Sequence, residues 1–316
     1  DSSFLLPTFM SSLATLQDKL KVFQLKQRLQ KKDIHEIFEK EEQTTHTYLE
    51  NLGFSSKVIN SFFKPFFSGI FLEPDLKTSS RMFEFVYKMF GAGTAMIPKS
   101  GMGAIPLQLA GSLEKSELRL NTKVRKVTKG KILLENGEEL SSDFIIVATD
   151  PKNILANYTS SLKWKSCDNL YFTVKKRSYS KPIIGLNTNP SSLVNNIFFS
   201  SSILMKSKGN EELLSVTVVK DHTLAEEELV KRVKEELTND FQINDVTFLK
   251  KYTIPLSLPD IDDLKDHRDA GESLLTEGIA IAGDHLLNGS LNAAMLSGER
   301  AAEMADRALA ESVVLS

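Results

Sequence analysis

The sequence predicts an α/β protein built from interleaved segments. Three observations carry this: a first third with helical spacing of apolar residues, a middle of short β-branched and aromatic runs, and a C-terminal apolar run that passes through a glycine into a helix. At 316 residues, 41% hydrophobic and 25% charged, the chain has the balance of a folded soluble protein with a sizeable core. A formal net charge of −2 leaves no electrostatic footprint for nucleic acid. No apolar run is long enough to span a bilayer. The single cysteine, Cys167, excludes a disulfide framework within the chain. His35, His46, His222, His267 and His285 are scattered without metal-ligand spacing, so no metal site is expected.

Taken in order, residues 8–40 read as mostly helix, with Leu13, Leu16, Leu20 and Phe23 as the inward row and Leu25 and Leu29 out of step with it. Asp33 is placed to cap "IHEIFEKEE". "TTHTYLENLG" reads as a helix closed by Gly53. "SSKVINSFFKPFFSGIFL" resumes helix from a serine cap and is interrupted near Pro65. "SSRMFEFVYKMFGAG" is a further capped helix. Residues 1–92 are thus mostly helical and rich in phenylalanine. After Gly93, "PKSGMGAIPLQLAGSL" is a glycine turn and a short helix. Val124 and Val127 lie in one extended run and Ile132, Leu133 and Leu134 in the next, followed by an Asn136-Gly137 turn. "FIIVAT" (144–149) reads as a strand buried on both faces. Residues 168–220 predict an antiparallel sheet. "TLAEEELVKRVKEELTNDF" follows as an amphipathic helix with Leu229, Val230, Val233 and Leu237 inward, and "DVTFLKKYTIPLSLP" as another strand.

The C-terminal stretch "GIAIAGDHLLNGSLNAAMLSGERAAEMADRAL" (278–309) starts as a buried strand, reaches Gly283 and Asp284, and becomes a helix. Ser290 or Asn292 can cap it. Ala294, Gly298, Ala301 (or Ala302) and Ala305 form a face of small residues that lets the helix lie close to a neighbour. A helix that starts where a buried strand ends presents free N–H groups and a positive dipole end. Asp284 beside it suits a hydroxyl-bearing ligand, since hydroxyls can donate to a carboxylate.

These residues resemble the C-terminal flavin motif of the FAD-dependent amine oxidase, protoporphyrinogen oxidase and phytoene desaturase superfamily. The matching elements are Ala282-Gly283-Asp284, Gly289-Ser290, Asn292-Ala293-Ala294, Ser297-Gly298 and Ala301-Ala302, with Ala293 where the pattern carries glycine. Two further segments are similar: "PKSGMGAIPLQLAGSL" to the Gly-Met-Gly turn near the flavin ring, and "LNTKVRKVTKGKILLENGEELSSDFIIVATDP" to the strands that return the chain to the cofactor domain.

The resemblance implies an incomplete FAD-binding Rossmann-like domain (93–150 and 261–316) plus a substrate domain of helices (1–92) and an antiparallel sheet with a helix (151–260). It implies non-covalent FAD held by Gly283, Asp284, Ser290, Leu291, Asn292, Ala293, Ala294, Val124, Ala148, Thr149, Gly101 and Met102, with hydride transfer to flavin N5. No catalytic residue is assigned. His285 reads as a solvated loop histidine and Lys175 as part of an exposed edge.

The desaturase-like branch implies an apolar small-molecule substrate such as a carotenoid or terpenoid; the phenylalanines could line its pocket, with helix core as their more ordinary use. It also implies a cytoplasmic protein with peripheral membrane contact at 62–67. An amine or protoporphyrinogen oxidase is the alternative within the class. A non-catalytic scaffold that keeps the substrate-domain fold is the alternative outside it. The family's opening GxGxxG unit has no counterpart: "GAGTAM" (91–96) follows a helix and ends in Met96. The expectation is that a nucleotide-binding segment lies upstream of Asp1.

Overall fold

The structure is a computed structural model that describes residues 14–156, 158–179, 181–203 and 211–314, with side chains to residue 311. The chain passes twice through each of two compact units. Unit one holds Asp1–Gly93 and Trp164–Leu258, and unit two holds Thr94–Lys163 and Pro259–Ser316. Helices and mainly antiparallel sheets make a mixed α/β architecture.

The helical part of unit one runs α1 (Leu16–Lys31), α2 (Ile34–Phe38), α3 (Thr45–Asn51), α4 (Ser56–Val58), α5 (Lys64–Phe71) and α6 (Ser80–Ala92). Side-chain caps set the starts. Thr15 and Asp18 form a reciprocal capping box, and Asp33, Thr44, Ser55 and Ser79 each accept a first-turn N–H. Gly53, at φ +74°, closes the turn after α3. Pro65 does not interrupt the helix. A π turn, Ile59–Phe63, joins α4 to α5 and leaves the proline in the first turn of α5, where no N–H is required.

One expectation is corrected in this region. The row Leu16, Leu20 and Phe23 is exposed, at 74%, 57% and 56%, while Asp18, Leu25 and Leu29 face inward. The cause is Asp18, whose carboxylate also accepts the Ser55 N–H at 2.8 Å and the Ser55 hydroxyl at 2.7 Å, turning that side of α1 toward the module. Leu13 lies outside the described residues. Several of the phenylalanines take the helix-core use, while Phe62 and Phe90 are exposed. Phe54, Phe63, Phe67, Phe71 and Phe83 are buried together, with ring centroids 4.6 Å apart for Phe67 and Phe83 and 4.9 Å for Phe54 and Phe63.

The rest of unit one is a five-stranded sheet in the order β6-β7-β8-β5-β9, formed by β5 (Lys163–Val174), β6 (Gly185–Leu186), β7 (Val194–Phe199), β8 (Glu212–Val218) and β9 (Thr247–Asp260). One face of β5 points Leu170, Phe172 and Val174 into a core closed by Leu229, Val233 and Leu237 of α8 (Glu226–Phe241). The opposite face carries Asn169, Tyr171, Ser215 and Thr217. There Ser215 donates to Asn169 at 3.0 Å, and Asn169 to the Tyr171 hydroxyl at 3.3 Å. Lys175 is exposed just past the end of β5, an inner strand of the sheet rather than an edge.

Unit two contains α7 (Ala104–Gly111), an antiparallel sheet of β1 (Val124–Thr128), β2 (Lys131–Leu134) and β3 (Glu139–Ser141), and a second sheet in the order β10-β11-β4. Its strands are β4 (Ile145–Val147), β10 (Leu274–Thr276) and β11 (Ile279–Ile281), and α9 (Leu291–Val314) follows. β11 pairs parallel with β4, Ile279 opposite Ile145 and Ile281 opposite Val147. Its alternation explains its burial on both faces. Ile279 and Ile281 join Ile145, Val147, Val127 and Leu155 on one side, while Ala280 and Ala282 meet Ala301 of α9 on the other. Methyl against methyl lets the helix lie close to the strand.

Candidate functional site

The parallel register of β4 and β11 brings two similar chain ends side by side: Ala148-Thr149-Asp150 and Ala282-Gly283-Asp284. The Ala282 N–H donates to the Val147 carbonyl at 3.0 Å, which continues the ladder to the strand ends. Ala148 and Thr149 are exposed there. The Gly283 N–H donates to Ser297 Oγ at 2.9 Å, and that hydroxyl donates to the Ala294 carbonyl at 2.8 Å. Ser297, fully buried, thereby ties the strand end to α9.

Ser290, rather than Asn292, caps α9. Its Oγ accepts the Ala293 N–H at 3.1 Å and donates to Asn288 Oδ1 at 2.7 Å. The N–H groups of Leu291 and Asn292 have no acceptor within the helix, and both residues are exposed. Ala293 is 3% exposed, so its methyl points into the protein and does not crowd the open helix start. The buried stripe of α9 is Ala293, Ser297 and Ala301. The predicted face is thus rotated by about one residue: a Cβ at Gly298 would meet nothing within 4 Å.

Asp284 accepts backbone N–H bonds through its carbonyl, from Leu287 at 3.2 Å and Gly289 at 3.0 Å. Its carboxylate has no protein donor among the described residues. His285 is not a solvated loop residue. Its ring folds back over Gly283, so that a Cβ at 283 would overlap the imidazole, and its Nε2 is buried without a hydrogen-bond partner. Burial holds the imidazole below its ordinary value of 6.5, aided by Arg268, with Asp284 and Asp150 opposing.

Val124 opens β1 and packs against the Ile145, Val147, Ile279 and Ile281 cluster beneath the strand ends. Gly101 takes a positive φ of +85° in a turn closed by its own N–H to the Pro98 carbonyl at 2.8 Å, and Met102 is 56% exposed. Among the described residues no hydrogen bond links Gly101 or Met102 to the strand ends, and α7 has no buried residue. Cys167 lies in unit one with its Sγ 3.3 Å from Ser257 Oγ. Among the described residues no group of three His, Cys, Asp or Glu side chains could hold a metal, and no helix is long and apolar enough to cross a membrane.

Sequence reasoning missed Ser297 as a tie and His285 as a packed group. The signal for the first was a serine four residues after Ala293 on a small-residue stripe. For the second it was a glycine two positions before the histidine.

The candidate site is thus a parallel strand pair whose ends meet a capped helix start, with an unpaired carboxylate alongside. The family described as flavin containing amine oxidoreductase matches residues 3–305, and the chain belongs to it. It is therefore an oxidoreductase of a flavin-dependent family. No curated protein matches the chain. Among solved structures it is similar to a candidate protoporphyrinogen oxidase from Exiguobacterium sp. 255-15, at 17% identity and TM-score 0.64 over 94% of this chain and 73% of that one. It is also similar to an oxidoreductase from Methanosarcina mazei, at 13% identity and TM-score 0.68 over 92% and 74%. A double mutant of putrescine oxidase aligns at 12% identity and TM-score 0.61 over 94% and 77%. Identities this low speak for the shared fold.

Proposed function

We propose that the chain binds FAD non-covalently at the paired ends of β4 and β11 and uses it to oxidise a small organic substrate. The observation that carries this reading is the unpaired Asp284 carboxylate beside the open start of α9. Bound there, the flavin would supply the redox chemistry by accepting a hydride from a substrate C–H bond.

The chain's own residues would hold and polarise it. Asp284 would accept from ribityl hydroxyls. The Leu291 and Asn292 N–H groups, with the helix dipole behind them, would favour negative charge on the reduced ring. Ser290 fixes that helix start, Ala293 and Ala294 would present the first turn to the ring, and Ala301 sets the closeness of the helix to the strand. Gly283, Ala148 and Thr149 would border the cofactor chain, Val124 its adenine end, and Gly101 and Met102 the ring.

A further nucleotide-binding segment belongs to this reading. β4 pairs with β11 on one side and, among the described residues, with no strand on the other, and Ile146 is 38% exposed. With Leu107 of α7 73% exposed, these surfaces suit an added parallel strand and helix.

Asn169, Tyr171, Ser215 and Thr217 on the face of the sheet opposite α8 favour a hydrogen-bonding substrate such as an amine or hydroxyl compound. An apolar substrate, or contact with a membrane surface, is favoured by the stacked Phe62 and Phe66 and the half-exposed Phe90. Purified protein should show oxidised-flavin absorption that dithionite bleaches. Asp284→Ala should weaken FAD binding by about 10- to 100-fold, the value of one or two hydrogen bonds to a charged acceptor. A colourless protein that takes up no added FAD would sink the proposal.

A further inference from the structure

His285 is half-buried beside the strand ends, and its Nε2 is, among the described residues of unit two, the one histidine ring nitrogen buried without a partner. Its ring covers the bare Cα of Gly283. The ring occupies the space that a side chain at 283 would take. The Nδ1–Cε1 edge of the ring is turned against Gly283, and Nε2 is buried with no hydrogen-bond partner among the described residues. The charged groups around it are Asp284 and Asp150 at the two strand ends and Arg268. A buried ring nitrogen left unpaired carries a desolvation cost that a ligand hydrogen bond removes.

We infer that His285 is a cofactor-contacting residue, with Nε2 of its imidazole hydrogen-bonded to the polyol–phosphate chain of the bound flavin. This rests on the cofactor reading above and adds a contact to it. Asp284 and His285, adjacent in sequence, would then grip the same chain from two sides, one as a carboxylate acceptor and one through a ring nitrogen. The position also gives Gly283 a different role: it makes room for the ring that touches the cofactor, rather than for the cofactor itself.

The test compares wild type, His285→Gln and His285→Ala, each titrated with FAD by quenching of flavin fluorescence. Each is also unfolded without FAD. A parallel sample with ¹⁵N-labelled histidine follows the His285 ring by NMR as FAD is added. The expected result is a dissociation constant raised about five- to tenfold in His285→Ala, the worth of one neutral hydrogen bond. In His285→Gln, whose amide can take over the bond, the constant should stay within about threefold of wild type. The His285 Nε2 resonance should shift on FAD addition.

Equal FAD affinity in all three proteins overturns the inference and leaves the cofactor reading standing. So does an equal loss in both variants accompanied by a lowered unfolding midpoint without FAD, which marks a purely structural role. Wild-type protein that binds no FAD overturns both.

Discussion

Replacing Ser297 by alanine removes two hydrogen bonds from the strand–helix corner and adds nothing. Ser297 is fully buried; its Oγ accepts the Gly283 N–H at 2.9 Å and donates to the Ala294 carbonyl at 2.8 Å. The carbonyl keeps its helical role, but the Gly283 N–H loses its acceptor, at a cost of about 1–3 kcal/mol. Alanine returns roughly 0.5 kcal/mol of helix propensity. The net loss is about 1–2 kcal/mol. Tryptophan fluorescence would miss it, because the sole tryptophan, Trp164, lies in β5 of unit one. Hydrogen exchange read by mass spectrometry on peptides spanning 279–297 is the suitable assay. Exchange there should speed up by about 5- to 30-fold in Ser297→Ala.

The neighbouring change Gly298→Ala is the control. A Cβ at 298 meets nothing within 4 Å, so the substitution should stabilise α9 by up to about 1 kcal/mol and slow exchange. Exchange in Ser297→Ala within twofold of wild type, or both variants shifting in the same direction, would refute the assignment of the buried stripe.

Gly283→Ala should destabilise unit two by about 1–3 kcal/mol, because the new methyl overlaps the His285 ring. The double variant with His285→Ala should recover most of that loss in a urea unfolding cycle, and strictly additive effects would contradict the overlap. His285 itself should make stability depend on pH. Its folded-state value is lowered, so the unfolded chain binds the proton more readily; the contribution is complete above about pH 6.5 and is lost as pH falls below it. His285→Gln should flatten that part of the stability profile.

In unit one, burial alone would raise the Asp18 carboxyl, yet hydrogen bonds from Ser55 and Thr15 hold it at about 2 against an ordinary 3.8. At about 1.4 kcal/mol per unit this is worth roughly 2 kcal/mol, present above pH 3.8 and lost as pH falls toward 2. Asp18→Ala should abolish that acid transition in Trp164 fluorescence.

What could be read from the chain depended on how far a residue's partners lie along it. The alternation Ile279-Ala280-Ile281-Ala282 announces a strand with one branched and one small face, and the structure uses both faces in that way. Caps at Asp33, Ser55 and Ser79 were legible because their partners are two or three residues away. The rotation of α1 was not, since it is set by Ser55, which lies 37 residues from Asp18. Periodicity offered two candidate rows on that helix, Leu16-Leu20-Phe23 and Leu25-Leu29, and only a distant hydrogen bond chooses between them. The phenylalanines posed the same problem in another form. Composition gives their number, while their use as core or as pocket wall depends on which rings meet, and Phe63, Phe67 and Phe83 meet each other.

The corner where β4, β11 and α9 meet shows how a short motif fixes which residues are neighbours without fixing what each one touches. The positions 283–284 and 290–294 do converge, because a parallel register forces the ends of β4 and β11 together and Ser297 pins the second of them to α9. Yet the contacts within that corner differ from those the pattern suggested. Ser290 consumes the Ala293 N–H, so the free donors are those of Leu291 and Asn292. Small residues sit on two adjacent stripes of α9, a hundred degrees apart, and the strand selects Ala293, Ser297 and Ala301. Gly283 is small for the sake of His285. The tolerance of alanine at 293 follows from the same geometry. A methyl directed into the protein leaves the helix start open, so the departure from the family's glycine changes packing beneath the site and leaves the donors above it unaltered.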